Sequence, residues 1–341
     1  MGNRHLPALL SGLTVLSALG VLNGLNTALA ERLACRDDDR LSETAAALLL
    51  SGEPISSTVL LQRAREHGFD GVAVHARESA NAENLTAWLA ALREGGEGSV
   101  VCGEAQSESR RLVLASLRGG SLQSDGDKLR GALEPGFREP SLVVESGAGE
   151  LVSLPVTQAQ LKAGFAIPGE LHARRVQLIA ESASGPRPVA ELALVRDGFV
   201  ESLGEASQGP KKRSIDSMLA QLSAFRRGLG VSSLRDNRLL TESAQRHATR
   251  VCELGKLAHR FEGEDPELRL SREHVSARGV GEVLARAESS DRAFQALLDS
   301  PSHRLALSRK DFTDAGVGQA SDKKGQICLV VLMASWPRRT P

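Results

Sequence analysis

The pattern of hydrophobic and polar positions changes twice along the chain, which predicts a multidomain α+β protein. In the first third, apolar side chains at helical spacing alternate with short apolar runs. The predicted helices cover residues 41–50, 56–67 and 84–93, and the predicted strands cover 71–76, 99–103 and 110–117. These elements predict a small N-terminal α/β unit over residues 31–135.

A period of two replaces the helical spacing in the middle of the chain. The predicted strands there cover residues 142–144, 149–154, 160–166, 175–180 and 189–195, with proline and glycine between them. Short strands separated by turn residues predict a β-sandwich over residues 136–203, resembling an immunoglobulin-like module. Because no catalytic constellation occurs in it, we expect this unit to act in spacing or adhesion.

Amphipathic helices return after a polar linker, GEASQGPKKR, at residues 204–213. Helices are predicted over 215–229 and 237–254, and strands over 315–320 and 327–334. The second helix has an apolar stripe formed by Leu240, Ala244, Ala248, Val251 and Leu254. Helices that pack on a small antiparallel sheet predict an α+β domain over residues 214–336.

The first thirty residues predict a signal peptide, residues 1–30. Arg4 and His5 precede an apolar run, and Ala28-Leu29-Ala30 matches the small-x-small pattern of a signal peptidase site. A transmembrane anchor is the alternative, but Pro7 and several glycines and hydroxyl residues make the run weakly hydrophobic. We therefore expect a secreted, periplasmic or extracellular protein without a stable membrane span after cleavage.

The overall charge and the aromatic content narrow the range of partners. Lys plus Arg and Asp plus Glu both number 42, so the chain has no basic excess with which to bind nucleic acid. Aromatic residues make up 3% of the chain and tyrosine is absent, which argues against stacking surfaces for bases or sugars. A small ligand, a peptide or a cell-surface component stays open as a partner.

Four cysteines lie in the chain after the predicted leader: Cys35, Cys102, Cys252 and Cys328. Export permits disulfides, and four cysteines allow three pairings. If each domain pairs its own cysteines, the bonds are Cys35–Cys102 and Cys252–Cys328. Isolated buried thiols are the alternative.

The stretch Ser300-Pro301-Ser302-His303-Arg304 carries the most chemical information. Ser300 as N-cap and Pro301 at the first helical position predict a helix that begins here. His303 then lies in the first turn, where the helix dipole favours a neutral imidazole. Ser300 and Ser302 are expected to serve the helix cap rather than to act as nucleophiles.

His259 and Glu282 lie in two other segments that can meet His303 in one cleft. Two neutral imidazoles and a carboxylate are a donor set for a divalent cation such as Zn or Mg. A hydrogen-bonded polar cluster that fixes the loops is the alternative, and no catalytic residue is assigned. Arg260 and Arg304 follow the two histidines and are expected, with Ser300, to line the cleft.

These motifs, in this order, resemble the CAP superfamily domain of cysteine-rich secretory proteins, antigen 5 and plant pathogenesis-related proteins. The resemblance covers about residues 214–334. It rests on the long helix, His259, Gly281-Glu282, the Ser-Pro-Ser-His-Arg stretch, Phe312 and Gly316-Val317-Gly318. It implies a C-terminal α-β-α sandwich of bacterial type with a shallow central cleft.

The resemblance also implies that two histidines and two acidic residues in this cleft can hold a divalent ion. His259 and His303 match the histidines, and Glu282 matches the first acid. The second acid falls near Ser300, so one ligand is missing, and Val283 follows the glutamate where the family has asparagine.

Three functions agree with the sequence. The favoured one is an exported, non-catalytic CAP protein whose cleft of His259, Glu282 and His303 binds a divalent metal or a small ligand. The second is a metal-dependent extracellular hydrolase or peptidase. The third is an adhesion or assembly module that acts through the β-sandwich.

Overall fold

The computed structural model describes residues 35–53, 55–79, 82–108, 110–194 and 215–336. The predicted signal peptide and the predicted linker lie outside these residues. No helix within the described ranges is long and apolar enough to cross a membrane. The described elements form three successive units, each with hydrophobic clusters of its own.

The N-terminal unit is a four-stranded sheet with helices on both faces. Its elements are β1 (Arg36–Asp37), α1 (Asp39–Ser51), α2 (Ser57–Glu66), β2 (His75–Glu78), α3 (Ala82–Glu94), β3 (Ser99–Gln106) and β4 (Arg111–Arg118). The strand order is β1-β3-β4-β2, and β1 runs parallel to β3. One apolar cluster lies between the sheet and α1 and α2, and the other lies under α3.

The middle unit consists of two sheets that share one apolar core. Its elements are β5 (Gly120–Asp125), β6 (Lys128–Leu133), β7 (Arg138–Ser146), β8 (Leu151–Pro155), α4 (Gln158–Ala163), β9 (Phe165–Ala166), β10 (Ala173–Ser182) and β11 (Gly185–Ala193). The sheets have the orders β11-β10-β7-β8 and β5-β6-β9. The shared core takes in Leu122 and Leu129 of β5 and β6, which precede the boundary predicted at residue 136.

The strand predicted at residues 160–166 is wrong, because most of it belongs to α4. Thr157 and Gln160 form a capping box. The Gln160 amide donates to the Thr157 hydroxyl, and the Thr157 amide donates to the Gln160 side chain at 2.8 Å. These local hydrogen bonds between backbone amides and side chains outweigh the weak alternation of apolar positions on which the strand prediction rested.

The C-terminal unit has three layers, helix, sheet and helix. Its elements are α5 (Ile215–Gly228), β12 (Arg235–Asp236), α6 (Arg238–Leu254), α7 (Pro266–Arg272), β13 (Gly279–Ala287), α8 (Ser290–Asp299), α9 (Pro301–Leu307), β14 (Asp314–Ser321) and β15 (Ile327–Ser335). The strand order is β12-β14-β15-β13. Helices α6 and α7 cover one face of the sheet, and α5, α8 and α9 cover the other.

Helix α6 begins and ends where its sequence predicts. Asn237 accepts hydrogen bonds from the first turn, and Gly255 ends the helix with a left-handed φ of 64°. The predicted apolar stripe is buried except for Leu254, which is 57% exposed at the last turn.

Gly281 and Glu282 lie within strand β13, which is not among the strands that the sequence pattern predicts. Strand β13 is covered on both faces: Val283 belongs to one apolar cluster and Leu284 to the other. A strand buried on both faces has no polar–apolar alternation, so its period is hidden. A Cβ on Gly281 would lie 2.5 Å from the Phe312 ring, so this position requires glycine.

The N-terminal and C-terminal units share one topology. In each, a two-residue first strand runs parallel to the third, the third pairs antiparallel with the fourth, and the fourth pairs antiparallel with the second. In each, the helix after the first strand packs on a glycine of the third strand. A Cβ on Gly103 or on Gly316 would lie 2.2 Å or 2.1 Å from a helix backbone nitrogen. The N-terminal unit is therefore a smaller copy of the C-terminal arrangement.

Candidate functional site

The centre of the candidate site is the carboxylate of Glu282 on β13, whose side chain is 1% exposed. One oxygen, Oε1, lies 3.0 Å from Nδ1 of His259. The other, Oε2, accepts a hydrogen bond from the Arg269 guanidinium of α7. The structure thus joins two of the predicted residues and adds a third, Arg269, that the sequence analysis missed.

The contact with Glu282 determines which nitrogen of His259 carries the proton. A carboxylate only accepts hydrogen bonds, so Nδ1 is the protonated nitrogen and Nε2 keeps a lone pair. Arg269 also donates to the backbone carbonyl of His259 at 2.8 Å, which fixes this segment from a second side. His259 therefore presents an oriented imidazole with a free acceptor nitrogen.

His303 is a half-buried histidine on α9. Its Nδ1 is buried and has no hydrogen-bond partner within the described residues. Burial lowers the pKa of His303 to about 4, and positive charge on His259, when that ring is protonated, acts in the same direction. His303 is therefore neutral at pH 7, and the two histidines are close enough to interact electrostatically.

His247 of α6 is a buried histidine beside Glu282. Its Nε2 lies 2.9 Å from the Ala258 carbonyl and 3.6 Å from Oε1 of Glu282. Burial lowers the pKa of His247 despite the nearby carboxylate. The His247 ring packs against the Phe261 ring, with 5.6 Å between the ring centroids, so this histidine has a structural role in the cluster.

Ser300 stands at the N-cap position of α9, but its side chain does not cap the helix. The cap is provided by the middle unit instead: Oε1 of Gln177 on β10 accepts from the Ser302 amide at 3.0 Å. The Ser300 hydroxyl contacts the same oxygen and the Ser302 hydroxyl. Helix α9 thus begins at Pro301 with Ser300 at its N-cap, as predicted, but the Ser300 hydroxyl bonds no helix amide, because Gln177 accepts from the Ser302 amide.

The two arginines expected to line the cleft both bind the middle unit. Arg260 donates to Glu181 of β10 at 3.0 Å. Arg304 pairs with the fully buried Glu145 of β7 at 2.6 Å. Arg174 and Arg175 also bind Glu145, so three guanidinium groups surround one carboxylate.

The carboxyl group of Glu145 makes the stability of the contact between the middle and C-terminal units depend on pH. Burial alone would raise the pKa of Glu145, but hydrogen bonds from Arg304 and Arg174 and the charge of Arg175 outweigh it and lower the pKa to about 2. A carboxyl group with a lowered folded-state pKa stabilises the protein above its ordinary pKa, and this stabilisation is lost as pH falls toward 2.

We expect Glu145→Gln to flatten the pH profile of stability in acid. Between pH 6 and pH 3, the wild type should lose about 2 kcal/mol more unfolding free energy than the variant, because the variant has no carboxylate to protonate there. Urea unfolding at both pH values measures the difference. Equal losses in the two proteins would contradict the assignment.

The described residues do not form a closed metal site with four protein ligands. In the described part of the chain, no group of three or more His, Cys, Asp and Glu side chains is placed to hold a metal ion. Glu282 is engaged by the Arg269 cation, which leaves the imidazoles of His259 and His303 as donors. A structural zinc site requires four protein ligands, whereas an open site leaves positions for water or another ligand.

At two equivalent positions, the N-terminal unit has apolar residues where the C-terminal unit has polar residues of this site. Ala76 is the counterpart of Glu282. In the fourth strand of the N-terminal sheet, Leu114 pairs with Gly103 on one side and with Ala76 on the other; Leu332 pairs in the same way with Gly316 and Glu282. Leu48 is the counterpart of His247. Each lies seven residues after the leucine that packs on the glycine, Leu41 on Gly103 and Leu240 on Gly316. Among the described residues of the two related arrangements, the cluster of His247, His259 and Glu282 therefore lies in the C-terminal one.

Comparison with known proteins gives weak similarities. No protein-family model matches the chain, and no curated protein matches it. An outer surface protein from Borrelia burgdorferi is 22% identical, with a TM-score of 0.34 over 38% of this chain and 100% of its own. An extracellular protein containing an SCP domain from Bacillus anthracis is 12% identical, with a TM-score of 0.33 over 64% of this chain and 67% of its own.

A cysteine-rich secretory protein from Staphylococcus aureus is also similar in structure. It is 12% identical, with a TM-score of 0.29 over 68% of this chain and 84% of its own. Several structural neighbours are thus SCP-domain or cysteine-rich secretory proteins, and their names place them outside the cell or at its surface. With TM-scores below 0.5, these similarities carry no argument about the function of this chain.

Proposed function

We propose that this chain is an exported, non-catalytic CAP-type protein that binds a small ligand, such as a single zinc ion, between His259 and His303. The observation that carries the proposal is the pair of imidazoles, of which one is oriented by Glu282 and the other is neutral with a buried, unpartnered nitrogen. The order of the CAP-like motifs and the helix–sheet–helix layers support the family assignment. Two disulfides support an oxidising compartment.

The chemistry of the donors favours zinc over magnesium. Imidazole nitrogen suits zinc, whereas magnesium prefers oxygen ligands and retains its waters. Histidines that bind metals usually donate their other N–H to a carboxylate, as His259 does to Glu282. We therefore place Glu282 behind the ligands, where it orients His259. A bound zinc ion would supply a Lewis-acid centre at the two imidazoles.

The polar groups around the site support a binding role rather than catalysis. Glu282 is ion-paired with Arg269, so it is not a free general base. The hydroxyls of Ser300 and Ser302 contact each other, and that of Ser300 also contacts Gln177. None of these contacts activates a nucleophile.

Zinc titration by calorimetry at pH 7, on protein treated with a chelator, tests the proposal. We expect His259→Ala and His303→Ala to abolish binding, because each removes a donor. Glu282→Gln should weaken binding by about 10- to 100-fold without abolishing it, as expected for a residue that only orients a ligand.

His67→Ala is the matched control. This histidine lies in the N-terminal unit, 3.4 Å from Glu43, and has no part in the cluster. Its removal should leave the zinc affinity unchanged. Unchanged affinity in both site variants, or an equal loss in the control, would refute the proposed site.

A further inference from the structure

The hairpin between β10 and β11 lies directly on the candidate site. The backbone carbonyl of Ser184, at the hairpin tip, accepts hydrogen bonds from the amides of His259 at 2.9 Å and Arg260 at 3.1 Å. A Cβ on Gly185 would lie 2.9 Å from the Cβ of His259 and 3.5 Å from its ring. The tip therefore covers one edge of the imidazole whose Nε2 faces no described partner.

Polar contacts hold the hairpin tip in this position. Arg260 binds Glu181 at 3.0 Å, and both side chains are partly exposed. On the other side of the tip, the Ser184 hydroxyl donates to Glu97 of the N-terminal unit at 2.7 Å, and Lys256 lies 3.7 Å from the same carboxylate. All three units thus meet at four hairpin residues, 182–185.

The apolar clusters of the described residues stop at this junction. The core of the middle unit contains only residues between Leu122 and Leu194, and the two large cores of the C-terminal unit begin at Met218. Hydrophobic burial is the main force that holds packed units together, and polar interfaces between units permit relative motion. At the hairpin tip, the units are therefore held by hydrogen bonds and by partly exposed ion pairs, which water can replace.

We infer that the hairpin tip is a lid over the imidazole pair, and that it lifts without the unfolding of either unit. When the lid is closed, it slows the passage of any ligand, including a single ion, to and from the pair. A larger ligand requires the open form. The lid itself is independent of what binds, and only its effect on ligand entry rests on the proposed function.

Hydrogen exchange of the full-length protein tests the lid directly. The amides of His259 and Arg260 are protected by the Ser184 carbonyl, so they should exchange at least about tenfold faster than those of Val330 and Leu332 in the central strand β15. Exchange of all four amides at one common rate would show that the junction opens only on global unfolding. The lid would then be ruled out.

Glu181→Ala weakens the lid, and Glu242→Ala is its matched control. Each substitution removes one Arg–Glu pair, at the lid and on the exposed surface of α6 respectively. We expect Glu181→Ala to accelerate exchange at His259 and Arg260 by about two- to fivefold, with no change in β15. The control should change neither, and an equal effect of both substitutions would overturn the inference.

Zinc release into excess EDTA separates the lid from the site. In Glu181→Ala, binding and release should accelerate by the same factor, which leaves the zinc affinity unchanged. A lower affinity without faster release would contradict the lid. If zinc does not bind the wild type while the exchange results hold, the proposed function fails and the lid stands.

Discussion

Glu282→Ala is expected to destabilise the C-terminal unit by about 3–5 kcal/mol, because it leaves a buried guanidinium without its partner. Arg269 is 11% exposed, and its side-chain partners are Glu282 and the carbonyl of His259. The loss of the carboxylate also removes the hydrogen bond to Nδ1 of His259. The cost therefore comes from an uncompensated charge rather than from lost volume.

The two tryptophans allow this loss to be measured in one unit. Trp88 lies on α3 of the N-terminal unit, and Trp336 follows β15, where its indole N–H donates to Asp314 at 2.7 Å. In a Trp88→Phe background, urea unfolding followed by fluorescence reports on the C-terminal unit. Glu242→Ala, which breaks an exposed pair, should cost less than about 1 kcal/mol.

A double variant tests the physical reason for the loss. In Glu282→Ala with Arg269→Met, no charge remains unpaired, so the double variant should be less destabilised than the sum of the single variants. If the loss of unfolding free energy in the double variant equals the sum of the two single losses, the two side chains do not act as a pair.

Removal of the Cys252–Cys328 bond, by alanine at both positions, is expected to cost about 4 kcal/mol of unfolding free energy. The bond joins α6 to β15 across a sequence separation of 76 residues, so its loss frees a long loop in the unfolded chain. Both cysteines are buried, and alanine avoids placing a new hydroxyl there. The transition of Trp336 in urea measures the effect.

The other disulfide serves as the control for this experiment. Cys35–Cys102 closes a loop of similar length, with a separation of 67 residues, but lies in the N-terminal unit. Its removal should shift the urea unfolding transition reported by Trp88 fluorescence and leave the transition reported by Trp336 unchanged. If both bonds shift both transitions equally, the N-terminal and C-terminal units unfold as one.

The sequence predicted the local features of the fold well and the long-range ones poorly. The bounds of helix α6 were predicted because the signal at each end of it, at Asn237 and at Gly255, acts on the adjoining turn. The two disulfides followed from the condition that each domain pairs its own cysteines, and the structure confirms both. Strand β13 was missed because burial on both faces removes its period.

The candidate site shows the same limit. His259 and Glu282 were identified from spaced motifs, and the structure brings them into contact. Arg269 was missed because it lies on a short polar helix, where the sequence does not distinguish an arginine that binds a buried carboxylate from one exposed to solvent. Arg260 and Arg304 were expected to face the cleft, but the partners that bind them, Glu181 and Glu145, lie in a different unit and carry no local signal.

The repeated topology of the outer units has a consequence for how the chain reaches its native state. Two sheets with the same strand order can exchange equivalent strands during synthesis, a failure typical of repeat proteins. The two disulfides lie at different positions of the shared topology. The residue of β14 that is equivalent to Cys102 of β3 is Ala315, which is not a cysteine. Each covalent link closes within its own unit, so the two native bonds form only when β3 and β15 have stayed with the elements of their own units.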